Sequence, residues 1–220
     1  MWPIRPAAAG FATTSPPGRP DVAAFPRAAW LSAARRALAT APAETLDYSD
    51  PRGLPDLREA IAAYLARMRG VRANPERVVI CGGFTQGWAL LCDVLAHSGA
   101  KTVAMEVHGV QHHRRIAARR DLEILNLAVD DAGAVIKPGG GAAMLVTAAH
   151  QFPLGVALAP QRRADAVRWA QAQSCLVIED DFDGEFRYDR QPIGAMQALA
   201  PEHVVYAGTA SKSLAPGLRL

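Results

Sequence analysis

Over residues 1–26 the apolar positions follow no period. Pro3, Pro6, Pro16, Pro17, Pro20 and Pro26 interrupt a background of alanine and glycine, a composition that predicts a semi-extended linker without a core of its own. From Ala28 the pattern becomes globular. "RAAWLSAARRALA" sets Trp30, Leu31, Ala34 and Leu38 on one helical stripe, with Arg35 and Arg36 off it. "DPRGLPDLREAIAAYLARMRG" predicts a turn and then a helix. Pro55 suits the first helical position, Asp56 and Glu59 favour its positive end, and Gly70 stops it. Its expected buried face is Leu57, Ile61, Leu65 and Met68.

Strand-like and helix-like segments then alternate. "RVVICGG" predicts a strand running into a glycine turn, and "FTQGWALLCDVLAHSG" a helix. "KTVAME", "LEILNL", "AAMLVTA", "CLVIED" and "HVVYAG" predict further strands, with helices expected at "QHHRRIAARR" and "PQRRADAVRWAQAQ". Alternation of β and α segments predicts an α/β domain over residues 27–220, a three-layer, mostly parallel sheet covered on both faces.

Composition narrows the class. The 220 residues include 50% hydrophobic positions, enough for one sizeable core. With 24 basic and 21 acidic residues the net charge is +3, which by itself does not argue for nucleic acid. The stretch "HHRRIAARR" is the one candidate for a DNA-binding element, and it has no recognition motif beside it. Cys81, Cys92 and Cys175 are odd in number and lie among apolar neighbours, the pattern of reduced core cysteines in a cytoplasmic protein. No apolar run reaches membrane-spanning length.

Ligands of open α/β sheets sit beyond the C-terminal ends of the strands, and four segments fall there. In "CGGFTQG" a glycine turn opens a helix, so backbone N–H groups of Gly83, Phe84 and Thr85 are either an anion site or an ordinary connection. In "LVIEDDFDGEF" Asp180 stands where a strand runs out. A carboxylate buried there needs a cation or strong donor; alternatively Glu179, Asp180, Asp181, Asp183 and Glu185 form a solvated acidic turn. Their spacing is not that of a calcium loop, and no metal is expected. "AHQFPLG" brings His150 and Gln151 off a strand into a turn. In "YAGTASKSLAPGLRL", Thr209, Ser211, Lys212 and Arg219 follow a strand, and a strand-end lysine is either a surface charge or an amine able to attack an aldehyde. Together, an anion-binding turn, a strand-end aspartate and a strand-end lysine backed by an arginine are the parts that pyridoxal 5'-phosphate requires.

These segments, in this order, resemble the aminotransferase-like domain of the MocR subgroup of GntR-family transcriptional regulators, which shares the fold of class I/II (fold-type I) aminotransferases. The resemblance rests on "DYSDPRGLPDLREAIAAYLARMRGV", "HQFPLG", "EDDFDGEFRYD" and "GTASKSLAPGLRL". It implies that Lys212 forms the internal aldimine with pyridoxal 5'-phosphate and that Asp180 pairs with the pyridinium nitrogen. It further implies that Gly83, Phe84 and Thr85 make the phosphate-binding turn, completed by Thr209 and Arg219. Tyr48 corresponds to a tyrosine that reaches the phosphate of the neighbouring subunit of a homodimer, and Gln151 or Phe152 to a residue near the phenolic edge of the ring.

Three positions depart from the family pattern. Phe182 replaces a tyrosine whose hydroxyl is expected to bond the cofactor's phenolate, Val110 stands where a ring-stacking side chain is expected, and His108 replaces a proline. The resemblance also implies a longer parent protein, with a winged helix-turn-helix before this chain and a small domain carrying a carboxylate-binding arginine after it. The function it implies is an effector-sensing, cofactor-binding domain of a regulator, responding to an amino acid or another small molecule that reacts with pyridoxal phosphate. The alternative is a piece of a free-standing aminotransferase.

Overall fold

A computed structural model describes residues 20–137, 139, 141–184, 186 and 194–218. Most of the expected linker therefore lies outside the described residues. Its last part, Val22–Ala24, is a single 3-10 turn in which Asp21 Oδ1 accepts from the Ala23 N–H at 3.0 Å.

Two helices open the domain, α1 (Arg27–Thr40) and α2 (Pro55–Arg69). There follow α3 (Phe84–His97), β1 (Thr102–Glu106), α4 (Gln111–Ala118) and β2 (Glu123–Leu127). A hairpin of β3 (Val129–Asp130) and β4 (Gly133–Ala134), not foreseen from the sequence, leads into β5 (Ala143–Val146). The last elements are α5 (Pro160–Gln173), β6 (Leu176–Asp181) and β7 (Val204–Gly208).

β2, β1, β5, β6 and β7 form one sheet in that order, and every pairing is parallel. The two-residue period of the strands sorts the core into two layers. Val103 and Met105 of β1, Leu145 of β5 and Ile178 of β6 pack with Trp88, Cys92 and Leu95 of α3 and Ile116 of α4. Ala104, Met144, Val146 and Val177 point the other way, onto Val167 and Trp169 of α5 and onto Met196. Helices thus cover both faces, as strand–helix alternation requires. β1 leads outward to β2 while β5 leads the other way to β6 and β7, so the order reverses between β1 and β5. That reversal leaves a crevice at the C-terminal ends of those two strands.

Several expectations need correction. α1 forms, but none of its residues is buried, and Leu31 and Leu38 stay 67% and 66% exposed. α2 begins on Pro55 and ends on Gly70 in the left-handed region, as read from the sequence. Its buried face, however, is Arg58, Ala62 and Arg69, while Leu57 and Met68 are exposed. Ion pairs, not apolar residues, choose that face. Arg58 reaches Asp50 at 3.3 Å and the Pro75 carbonyl at 3.1 Å, and Arg69 reaches Asp181 at 2.7 Å. Val78–Cys81 is extended but pairs with no strand among the described residues; the Ile80 N–H donates instead to the Arg52 carbonyl at 2.8 Å. All three cysteines are free, yet only Cys92 is in the core, with Cys81 and Cys175 half-buried. Among the described residues no helix is long and apolar enough to cross a membrane.

Arg69 and Asp181 are both buried, at 3% and 1% side-chain exposure. Removing one member of such a pair strands the other charge, and Arg69→Met is expected to cost about 3–5 kcal/mol in urea unfolding. The double variant Arg69→Met, Asp181→Asn should recover part of that loss. A single-variant loss below about 1 kcal/mol would show that the pair is not stabilising.

Candidate functional site

A cavity of about 290 Å³ opens at the crevice between β1 and β5. Its strand-end lining is Met105 and Glu106 of β1, Leu145 and Thr147 at the end of β5, and Asp180 of β6. Phe84, His113, Phe152, Phe182 and Lys212 complete most of the rest.

Glu106 ties the two central strands together. Its Oε2 accepts from the Thr147 hydroxyl at 2.6 Å and from Gln151 Nε2 at 3.0 Å, and its Oε1 from the Thr147 N–H at 3.2 Å. Burial pushes the Glu106 carboxyl above its ordinary range, while the Thr147 and Gln151 bonds oppose that. Gln151 is itself buried and fully engaged, donating also to the Phe152 carbonyl at 2.7 Å and accepting from the Leu154 N–H at 3.2 Å. It stands behind the cavity wall, and Phe152 is the member of that pair that lines it.

The three consecutive carboxylates at the end of β6 are buried, so the segment is not a solvated turn. Glu179 Oε2 accepts from the backbone N–H groups of Met196 at 2.8 Å and Gln197 at 3.3 Å. Asp181 Oδ2 accepts from Arg69 Nε at 2.7 Å and from the Tyr206 hydroxyl at 2.6 Å. Asp180, between them, lines the cavity, and its buried Oδ1 has no hydrogen-bond partner among the described residues. Burial, and then the charges of Asp181, Glu106 and Asp183, push the Asp180 carboxyl well above the usual carboxylate range. An acid in that state lacks a cationic donor.

Beyond β6 the chain turns at Phe182. Its ring lies 6.0 Å from the His150 ring in a stacked arrangement and meets the Phe152 ring edge-on at 6.2 Å. His150 Nδ1 and Asp183 Oδ2 are 2.6 Å apart, which fixes the HQFP turn against this segment.

Gly83 caps α3 with φ of 81°, a conformation that favours glycine. Its N–H donates to the Cys81 carbonyl at 2.8 Å, so the expectation that this N–H faces an anion is corrected. The N–H groups of Phe84 and Thr85 belong to the first helical turn, which has no intrahelical acceptor to offer them. Lys212 lies in the turn after β7, half-buried, on the same cavity as Asp180. Thr209, three residues before Lys212, donates its hydroxyl to Ser211 Oγ at 2.9 Å. Tyr48 is fully exposed and does not line the cavity, and Arg219 lies outside the described residues. The structure thus brings together Lys212, Asp180, Phe84 and Phe182. Glu106 and Thr147 line the same cavity and were not singled out in the sequence, while His113 and Arg114, expected only as part of the DNA-binding candidate "HHRRIAARR", line it too. A local signal for Glu106 was its place at the end of β1, comparable to that of Asp180, the penultimate residue of β6.

Residues 20–220 match the family model for aminotransferase class I and II. The chain belongs to that family. Family membership implies pyridoxal 5'-phosphate as cofactor, and the cavity fits it. The unpartnered Oδ1 of Asp180 lacks what a protonated pyridine nitrogen supplies, and an amine stands on the same cavity. An archaeal alanine:glyoxylate aminotransferase structure is similar, at 28% identity and a TM-score of 0.79, over 92% of this chain and 53% of that one. The kynurenine aminotransferase of Pyrococcus horikoshii shares the fold at a TM-score of 0.80 and 23% identity, with the same coverage. Among curated proteins, the pyridoxine biosynthesis transcriptional regulator PdxR of Corynebacterium glutamicum is 36% identical over 91% of this chain and 43% of its own length. The transcriptional regulator TauR of Rhodobacter capsulatus is 32% identical over 92% and 43%. The chain therefore spans less than half the length of the curated relatives it matches.

Glu179 gives this site a pH signature. Burial raises its carboxyl from 4.5 to about 6, against the Met196 and Gln197 N–H bonds that lower it. In the unfolded chain it ionises near 4.5, so between that pH and about 6 the unfolded state binds fewer protons. Raising the pH through this window should remove on the order of 2 kcal/mol of stability, which stays lost above it. Unfolding free energies of Glu179→Gln and the unaltered protein, measured from pH 4 to 7, should diverge in that interval. Parallel curves would show that Glu179 ionises normally.

Proposed function

We propose that residues 27–220 form the pyridoxal-phosphate-binding, effector-sensing domain of a MocR-type transcriptional regulator, preceded by a linker over residues 1–26. The observation that carries the cofactor part is the unpartnered carboxylate of Asp180 on one cavity with Lys212. The regulator part is supported by similarity to PdxR and TauR along nearly the whole chain. In this reading DNA is contacted through a winged helix-turn-helix in the parent protein, and the protein is cytoplasmic.

When bound, the cofactor supplies an aldehyde for an amine and a cationic ring that withdraws electrons. Lys212 would hold it through its side-chain amine. Asp180 would keep the ring nitrogen protonated, and in return that charge would restore the aspartate to its ionised form. The N–H groups of Phe84 and Thr85 at the positive end of α3, with the Thr209 hydroxyl and Arg219, would hold the phosphate. Phe182 has no hydroxyl to offer the phenolate, which leaves that oxygen's bonding to other groups. The ligand sensed would be an amino acid or another small amine that competes with Lys212 for the aldehyde.

Tyr48 would reach the site of a second subunit in a homodimer. Its full exposure supports this, as does the exposure of Leu31, Leu38 and Leu46, an unburied apolar surface that a second copy would cover. A second reading, part of a free-standing aminotransferase, is favoured by the likeness to solved aminotransferases. Transamination by the parent protein would decide for it.

The test is chemical. Full-length protein incubated with pyridoxal 5'-phosphate should develop a visible-edge absorption band, and borohydride followed by peptide mapping should fix the label on Lys212. A label on Lys101 or Lys137 would overturn the assignment. Asp180→Ala should weaken cofactor binding at least tenfold more than Asp183→Ala, because only the first removes the partner of a buried cation. Equal effects of the two would remove Asp180 from the site.

A further inference from the structure

Part of the cavity lining comes from helices and not from strand ends. Phe84 is the first residue of α3 and His113 lies in the first turn of α4. Their rings meet with centroids 4.8 Å apart and planes tilted by 56°, and both line the cavity. His113 is anchored by its backbone on two sides. Its N–H donates to the Val110 carbonyl at 3.0 Å, and its own carbonyl accepts the indole N–H of Trp88 at 2.9 Å. Trp88 is fully buried, so this anchor belongs to the core.

The other rings of the cavity are placed differently. Phe152 is 42% exposed and meets Phe182 edge-on, while Phe182 stacks towards His150, so these three pack as a rim. Val110, three residues before His113, lines the cavity with an aliphatic side chain that is 43% exposed. Burial, and then the charge of His112, lower the His113 imidazole from 6.5 to about 4. The ring is therefore neutral near pH 7. A neutral ring can stack on a cationic heteroaromatic, whereas an imidazolium in the same place would repel it.

We infer that His113, backed by Phe84 and Trp88, is the aromatic platform on which a planar heteroaromatic ligand stacks in this cavity, the task for which Val110 has no ring. This rests on the reading that pyridoxal 5'-phosphate is that ligand. It makes His113 a binding residue defined by its π face and not by its nitrogens.

The experiment is titration of the full-length protein with pyridoxal 5'-phosphate, followed by visible absorption and by circular dichroism of the bound chromophore. His113→Phe keeps a ring and should bind within about threefold of the unaltered protein. His113→Leu keeps apolar volume without a ring, and should lose about tenfold in affinity together with most of the induced dichroism. Adding Val110→Tyr to His113→Leu should restore both signals, a rescue that a merely structural role would not give. Unchanged binding and dichroism in His113→Leu would overturn the inference, as would equal losses in His113→Leu and His113→Phe. If the unaltered protein develops no band at all, the cofactor reading itself fails and this inference falls with it.

Discussion

The ion pair between Arg69 and Asp181 joins α2 to two strands that lie more than a hundred residues further along the chain. Arg69 ends α2, Asp181 ends β6, and the Tyr206 hydroxyl from β7 donates to the same carboxylate oxygen as Arg69. Arg69 Nη1 also donates to the Gly184 carbonyl at 3.2 Å, so the turn after β6 is held as well as the strand. A Cβ at Gly184 would overlap the Asp181 carboxylate, which makes glycine a requirement of the clasp. Asp180 and Phe182, on either side of Asp181, inherit their positions from it. A buried charge pair adds little net stability over an apolar pair of the same shape, but it admits one geometry. Here that geometry aims the site.

The strand period explains how three adjacent acids tolerate burial. Glu179 and Asp181 point to one face of β6, where two backbone N–H groups serve the first and Arg69 and Tyr206 the second. Asp180 points to the other face, into the cavity, where the described residues offer its Oδ1 nothing. Each of the three acids keeps one buried oxygen without a partner among the described residues, but only Glu179 and Asp181 also hold bonds through the other oxygen that the fold supplies, and only Asp180 lines the cavity.

Much of this was legible in the sequence, because burial on both faces of a parallel sheet leaves continuous apolar runs and β–α alternation fixes the connections. All five sheet strands lie where their runs predicted. What failed was face selection in α2, where the pattern counts arginine as polar while Arg58 and Arg69 are among the most buried side chains. Trp30, Leu31, Ala34 and Leu38 have helical spacing in α1, yet spacing cannot say whether a partner surface exists within the same chain. Val78–Cys81 has strand composition, and composition carries no information on whether a neighbour is present to pair. Lys212 and Asp180 could be expected in one place because both lie at the C-terminal ends of parallel strands, whereas Phe84 opens a helix after a segment that pairs with no strand among the described residues. Glu106 shares that strand-end place, but its role depends on Thr147 and Gln151, tertiary contacts that strand position alone does not reveal.

Glu106 and Asp180 differ in what a ligand of this cavity could offer them. Both carboxyls line it and burial raises both. Glu106 already takes a hydroxyl, an amide and a backbone N–H, so a ligand gains little by approaching it. Asp180 Oδ1 takes none among the described residues, so a donor brought to it would offset the cost of its burial, and a cationic donor would offset most. In the proposed reading, the aromatic pair of Phe84 and His113 on the helical wall and the acid of Asp180 at the strand end would together suit a flat, cationic ring better than an aliphatic amine or a simple anion.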